Sequence, residues 1–369
     1  MTLSAVVDEV KAAAYEIPTD QPEADGTLSW TSTVMVLVRV RAGESEGTGW
    51  TYCGKAAKTV VEEKLADVVT GRPVLDVPGA TQAMMRACRN LGQPGVAAAS
   101  ISAVDAALWD LKARMLGVSL SGLLGRAQDD VPIYGSGGFT SYDDDTTRSQ
   151  LERFAFEWSI PRVKIKIGES FGRDEHRDLH RVALARKVVG DDVELYVDAN
   201  GAYGRKQAIR MGKAMSEEYS VTWYEEPVTS DDLVGLREVR DQCSIDVAAG
   251  EYGYSPWYYG PMIAAGAVDC VQADVTRCGG VTGWLAVAHL AQASNLQISG
   301  HCAPNLHASV AIAAPNLRHL EYFHDHVRIE QMLFDGTLSP EGGALRPDRN
   351  APGHGMVFKE SDADSYRVA

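Results

Sequence analysis

Eight short apolar segments, near residues 131–135, 162–167, 193–198, 221–225, 245–249, 268–272, 296–299 and 318–322, alternate with amphipathic stretches from Val131 onward. No other feature constrains the fold of the chain as strongly. Parallel strands need a crossover long enough to hold a helix, so strand-then-helix units spaced about 20 to 35 residues apart build a parallel sheet. Eight such units predict a closed (β/α) barrel. A barrel of this kind gathers the carboxyl ends of all its strands around one pocket, and chemistry should therefore reside in the residues that end the strands.

The segment ahead of the barrel follows a different rule. Residues 31–41 are rich in β-branched side chains and run into a Gly-containing turn at 42–49, beyond which Trp50 to Cys53 can pair back as a hairpin. Helical stretches near 56–70 and 96–117 follow, the second ended by Gly117. These predict an α+β amino-terminal domain over residues 1–125 and a barrel over 126–345. The remaining residues, 346–369, begin Pro/Gly-rich and should return as loop and one strand to the amino-terminal domain.

With 369 residues, 45% of them hydrophobic, the chain can bury two substantial cores. Its formal charge of -15 disfavours nucleic acid or an anionic membrane as partner. Small anionic substrates remain compatible, because a bound metal inverts the local field. The six cysteines form no C-x-x-C pair, which suits a reducing cytoplasm, and neither a signal pattern nor a spanning apolar run is present.

Three acids recur at strand ends: Asp198 in Val197-Asp198-Ala199-Asn200, Glu225 in Tyr224-Glu225-Glu226-Pro227, and Glu251 after Ala249-Gly250. In a barrel they converge and can share one hard divalent cation such as Mg²⁺. Singly, each could instead cap the helix after its strand. In Val163-Lys164-Ile165-Lys166-Ile167 side chains alternate, so the two lysines face the barrel axis and the aliphatics face the helices. Desolvation and the like-charge neighbour are expected to lower a lysine pKa there toward that of a base. Asp274 and His301 fall on the sixth and seventh strand ends, within hydrogen-bonding reach, where the aspartate would fix the imidazole tautomer. Glu321 ends the eighth strand, where it could donate to a substrate carboxylate if protonated, or be a surface acid beside Arg318.

Taken in order, Lys164-x-Lys166, Asp198-x-Asn200, Glu225-Glu226-Pro227, Gly250-Glu251, Asp274, Gly279-Gly280-Val281-Thr282-Gly283-Trp284 and His301 resemble the mandelate racemase subgroup of the enolase superfamily over nearly the whole chain. The resemblance implies a modified TIM barrel under an α+β capping domain, with one Mg²⁺ on Asp198, Glu225 and Glu251. It further implies Lys166 as one base, the His301–Asp274 dyad facing it, Lys164 neutralising the substrate carboxylate, and Glu321 hydrogen-bonding the enediolate. Relatives by this resemblance are often homo-oligomers, dimers or octamers. Members resembling muconate-lactonising enzymes or dipeptide epimerases carry a lysine on the sixth strand; here no lysine occurs between Lys213 and Lys359, and Asp274 and Arg277 stand there instead.

Such a site suits removal of the proton α to a carboxylate; the enolase superfamily is a standard instance of a Lys or His base working beside Mg²⁺. The rim expected from Asn200, His307 and Arg277 is polar, which favours dehydration of a sugar acid to a 2-keto-3-deoxy acid. Cycloisomerisation of a sugar-acid lactone and racemisation or epimerisation of a 2-hydroxy acid are the alternatives. By the same resemblance, loops around 17–29 and 49–52 would close over the barrel mouth, where Asp20, Glu23, Asp25, Trp50 and Tyr52 could touch the substrate. Two other classes compete: a zinc hydrolase built on His319 and His324-x-His326, and a binding protein that has lost catalysis.

Overall fold

The computed structural model describes residues 5–369. Three antiparallel strands open the chain, β1 (Glu9–Ala24), β2 (Ser29–Ala42) and β3 (Ser45–Tyr52), paired in that order. Both faces of β2 are buried, which explains its almost unbroken apolar run. Val36, Val38 and Val40 pack toward the amino-terminal helices with Val61, Leu65 and Leu108, whereas Met35 and Leu37 join the core shared with the barrel. Helix Val96–Leu116 lies directly on β3, because a Cβ at Gly49 would stand 2.4 Å from the Ala103 carbonyl oxygen.

Two elements of this domain differ from the sequence expectation. β1 covers most of the segment expected as a loop, with a register shift between Pro18 and Glu23 that breaks the alternation by which a strand is read. Helix Val77–Ala87 begins Val-Pro-Gly, which looks like a turn, yet Pro is well tolerated in a first helical turn.

The barrel strands are β4 (Val131–Gly137), β5 (Arg162–Lys166), β6 (Glu194–Asp198), β7 (Val221–Glu225), β8 (Asp246–Ala249), β9 (Cys270–Ala273), β10 (Gln297–Gly300) and β11 (Leu317–Phe323). Each lies within two residues of its expected bounds. They pair in chain order and β11 closes on β4. Inward residues lie in layers: Tyr134, Tyr196 and Trp223 pack with Ala248 and Cys270, and His319 stands edge-on to Tyr134 and Trp223, forming a dry floor. One repeat higher on the same faces stand Ser136, Asp198, Glu225 and Glu321, so the floor supports the acids.

The carboxyl-terminal residues pass beside the first sheet, their short strand Val357–Phe358 pairing with Phe334–Asp335. Val368 donates to the Ala14 carbonyl at 2.9 Å, and the Phe358 ring lies 5.3 Å from that of Tyr15. Among the described residues no helix is long and apolar enough to cross a membrane. All six cysteines are free thiols.

Candidate active site

The strand register brings the acids together. Lys166 is the Cα partner of Asp198, and Asp198 of Glu225. Glu251 follows β8 across Gly250, whose φ of +132° and 2.3 Å approach of a would-be Cβ to the Gln272 carbonyl oxygen admit only glycine. Asp198, Glu225 and Glu251 each present an oxygen within 4.8 Å of the other two, and all three are buried. Burial, with repulsion from Asp198 and Glu321, pushes Glu225 up to about 8 despite the attraction of Lys164. Oε2 of Glu251 accepts no hydrogen bond, although His301 Nε2 stands 3.3 Å away. Three crowded carboxylates with an unpartnered oxygen fit a hard divalent cation that takes oxygen ligands.

Both lysines point inward, and the outward aliphatics Val163, Ile165 and Ile167 join the barrel-helix core. The expected fall in lysine pKa does not occur. Burial does oppose the charge, but Lys164 lies 2.5 Å from Glu225 and 2.8 Å from Glu321, Lys166 contacts Asp198, and these carboxylates hold both ammonium groups above the ordinary range. The neighbours that decide the sign come from other strands. Lys164 is wholly buried behind the acids, whereas Lys166 reaches the cavity.

Across the cavity, His301 Nδ1 lies 2.9 Å from Asp274 Oδ2. The other carboxylate oxygen of Asp274 accepts from the Thr276 N–H and hydroxyl, each at 2.7 Å. Burial acts against ionisation of Asp274, but the His301 hydrogen bond and Arg277 outweigh it and hold the acid well below the usual range. Burial likewise opposes the imidazolium, and Glu251, Glu321 and Asp274 together raise His301. An ionised Asp274 keeps the proton on Nδ1, so Nε2, 3.3 Å from Glu251 and 3.6 Å from Glu321, faces the cavity. The glycine-rich run sets this arm: Gly280 has φ +72° and a Cβ there would meet Asp105 at 2.3 Å, while the Trp284 indole donates to the Ala273 carbonyl at 3.3 Å.

Glu321 accepts from the Ser136 hydroxyl at 2.7 Å and the Cys302 N–H at 3.0 Å. Burial would raise its pKa, but Lys164, His301 and Lys166 carry it well below the ordinary value, so the protonated, donating form expected from the sequence is not the form this structure favours. It is also buried rather than at the surface beside Arg318. Asn200 and Arg277 line the cavity. Asn200 has φ +44°, its N–H donates to Asp198 at 2.9 Å, and its side-chain oxygen is buried without a partner. Arg277 is tethered to Asp274 and Glu251 at 3.5 and 3.7 Å.

Three expected contacts do not form. Trp50 is buried against Phe334 and His354, two residues back from the strand tip where Tyr52 reaches the cavity, a displacement of about 7 Å. Asp20 is exposed at the rim and pairs with His324 at 3.0 Å. His307 is buried with Nδ1 on the Cys302 carbonyl and Nε2 accepting from the Val275 N–H, so it braces the loop instead of facing the rim. His324 and His326 also diverge, since His326 stacks on Tyr52 with ring centroids 3.5 Å apart. Sequence reasoning missed Trp30, Thr33, Cys302 and His326 as lining residues. Cys302 adjoins His301 and could have been included; the others depend on which strand ends overhang the barrel.

The chain matches the model of the mandelate racemase / muconate lactonizing enzyme N-terminal domain over residues 10–125 and that of the enolase C-terminal domain-like family over 146–362. L-talarate/galactarate dehydratase of Salmonella typhimurium is 29% identical over 96% of this chain and 89% of its own length. Its crystal structure liganded with Mg and L-lyxarohydroxamate matches with a TM-score of 0.89 at 26% identity, covering 99% of this chain and 94% of that one. The 3,6-anhydro-alpha-L-galactonate cycloisomerase of Streptomyces coelicolor is 29% identical over 96% of this chain and 97% of its length. A mandelate racemase/muconate lactonizing enzyme-like protein from Rubrobacter xylanophilus matches with a TM-score of 0.95 at 47% identity, over 98% of this chain and 100% of that one. The chain therefore belongs to the mandelate racemase/muconate lactonizing enzyme family of the enolase superfamily.

Proposed function

We propose that the protein is a Mg²⁺-dependent lyase that removes the proton α to the carboxylate of a sugar acid and expels the β-hydroxyl as water, giving a 2-keto-3-deoxy acid. The observation that carries this reading is the convergence of Lys166 and His301 on one cavity beside three acids suited to a hard cation. Asp198, Glu225 and Glu251 would hold Mg²⁺, which supplies positive charge where the substrate carboxylate gains negative charge. Lys166 and the His301–Asp274 dyad stand on strands across the barrel, so one can take the α-proton while the other protonates the departing hydroxyl. Lys164 adds positive potential from behind the acids, and Glu321 positions Cys302 and Lys164 beside the enediolate. Asn200 offers an unpartnered acceptor to a substrate hydroxyl.

The cavity also favours a substrate with one carboxylate. Its amino-terminal wall presents Asp25, Leu28, Trp30, Thr33 and Tyr52, none of them cationic, and Arg277 is already tethered by two acids. A second carboxylate would meet no free positive charge at that end. Sugar-acid lactones fit the same wall, and the similarity to a cycloisomerase keeps lactone isomerisation as the second reading. The cytoplasm suits the free thiols, and exposed Leu91, Val234 and Trp257 support a homo-oligomer.

The reading is tested by incubating the Mg²⁺-loaded protein with aldonic acids, aldaric acids and lactones and assaying α-keto acid. Keto product from aldonic acids is expected, at rates at least tenfold above those with aldaric acids. Isomerised lactone without keto product would replace dehydration by the second reading.

A further inference from the structure

The capping domain holds a second cluster, separate from the barrel acids. Asp20, Glu23 and His324 each offer one ligating atom, all within 4.8 Å of one another. Asp20 lies inside the register shift of β1 and Glu23 ends it, and His324 opens helix His324–Leu333 directly after β11. The cluster thus bridges the capping sheet and the barrel strand that carries Glu321.

Its composition is unbalanced. Glu23 is completely buried; one carboxylate oxygen accepts from the Trp30 indole at 2.9 Å and the other, Oε1, has no partner. Asp325, also completely buried, stands beside it but is already engaged by Arg328 at 2.7 Å and by the Thr33 hydroxyl. Arg328 additionally donates to the Pro18 carbonyl at 2.6 Å, which ties one end of its guanidinium to Asp325 and the β1 backbone and leaves its Nε without a partner. His324 Nε2 lies 3.0 Å from Asp20 Oδ2, whereas among the described residues no cationic side chain forms an ion pair with Glu23. A buried carboxylate in that position is costly unless a cation completes it.

We infer that Asp20, Glu23 and His324 form a second cation site, distinct from the magnesium site, that takes a borderline divalent ion such as Zn²⁺ or Co²⁺ and ties β1 to the end of β11. One imidazole nitrogen with two carboxylate oxygens is a donor set that suits zinc or cobalt better than magnesium, which prefers oxygen alone. Trp30, held by Glu23, and Asp25, two residues farther along, both line the catalytic cavity, so an ion here steadies the wall over the substrate.

The test uses the full chain saturated with Mg²⁺ and titrated with Zn²⁺ by calorimetry, with Co²⁺ absorption as a second readout. One further equivalent of Zn²⁺ is expected, with affinity at least tenfold weaker in His324→Ala and in the isosteric Glu23→Gln, and with the Co²⁺ bands lost in both. Asp198→Asn, which weakens the magnesium site, should still take this ion. Absence of Zn²⁺ binding beyond the magnesium site, or binding unchanged in both Glu23→Gln and His324→Ala, would overturn the inference whatever the enzyme turns over.

Discussion

Lys166, Glu251, His301 and Glu321 could be placed at the cavity from the sequence because a strand has period two and a barrel has one mouth, whereas Cys302 and His326 could not. Lys164 and Lys166 had to share a face, and Asp198, Glu225 and Glu251 had to meet. What could not be read was which neighbour dominates: Lys166 was expected to lose basicity, yet Asp198 on the adjacent strand holds its proton. Trp50 was misplaced for a related reason, since only the overhang of β3 decides whether residue 50 or residue 52 reaches the cavity. Lys166→Ala should lower kcat by about 10² to 10⁴-fold while Mg²⁺ affinity, measured by calorimetry, changes little. Turnover within tenfold of wild type would remove Lys166 from the proton-transfer role.

The joint between helices Val96–Leu116 and Gly280–Ala293 determines how the capping domain meets the barrel. Asp105 is fully buried there, accepting from the Thr282 N–H at 3.0 Å and from the Thr81 hydroxyl at 2.5 Å. Burial, the largest influence, pushes it up to about 6 despite these hydrogen bonds. An unfolded aspartate titrates near 4, so between about pH 4 and 6 the folded state binds more protons, and stability falls as pH rises through that window. The difference amounts to at most roughly 3 kcal/mol. Asp105→Asn should flatten this slope in urea unfolding between pH 4.5 and 6.5; a slope equal to that of wild type would place the proton elsewhere. Gly280 was legible as part of a family pattern, but its reason, contact with Asp105 from the other domain, needs the assembled pair.

At the scale of the molecule, eight strand-helix units were readable because parallel strands with both faces covered stay apolar and are spaced by their helices. The capping domain was read only partly: β1 bends at its register shift and helix Val77–Ala87 starts like a turn, so neither carries a clean period. Yet that domain supplies Trp30, Thr33 and Tyr52 to the cavity wall. Stripping the protein with a chelator should abolish turnover, and Mg²⁺ should restore it, because Asp198, Glu225 and Glu251 would hold the cation that stabilises the negative charge formed on the substrate. The most direct test of the account is the fate of the α-proton, followed by NMR in D₂O with the Mg²⁺-loaded enzyme and an aldonic acid that it consumes. The account predicts loss of the α-proton and a 2-keto-3-deoxy product carrying solvent deuterium at C3, with product formation at least about 100-fold slower in Lys166→Ala; a product that retains the original α-hydrogen would contradict proton abstraction at this site.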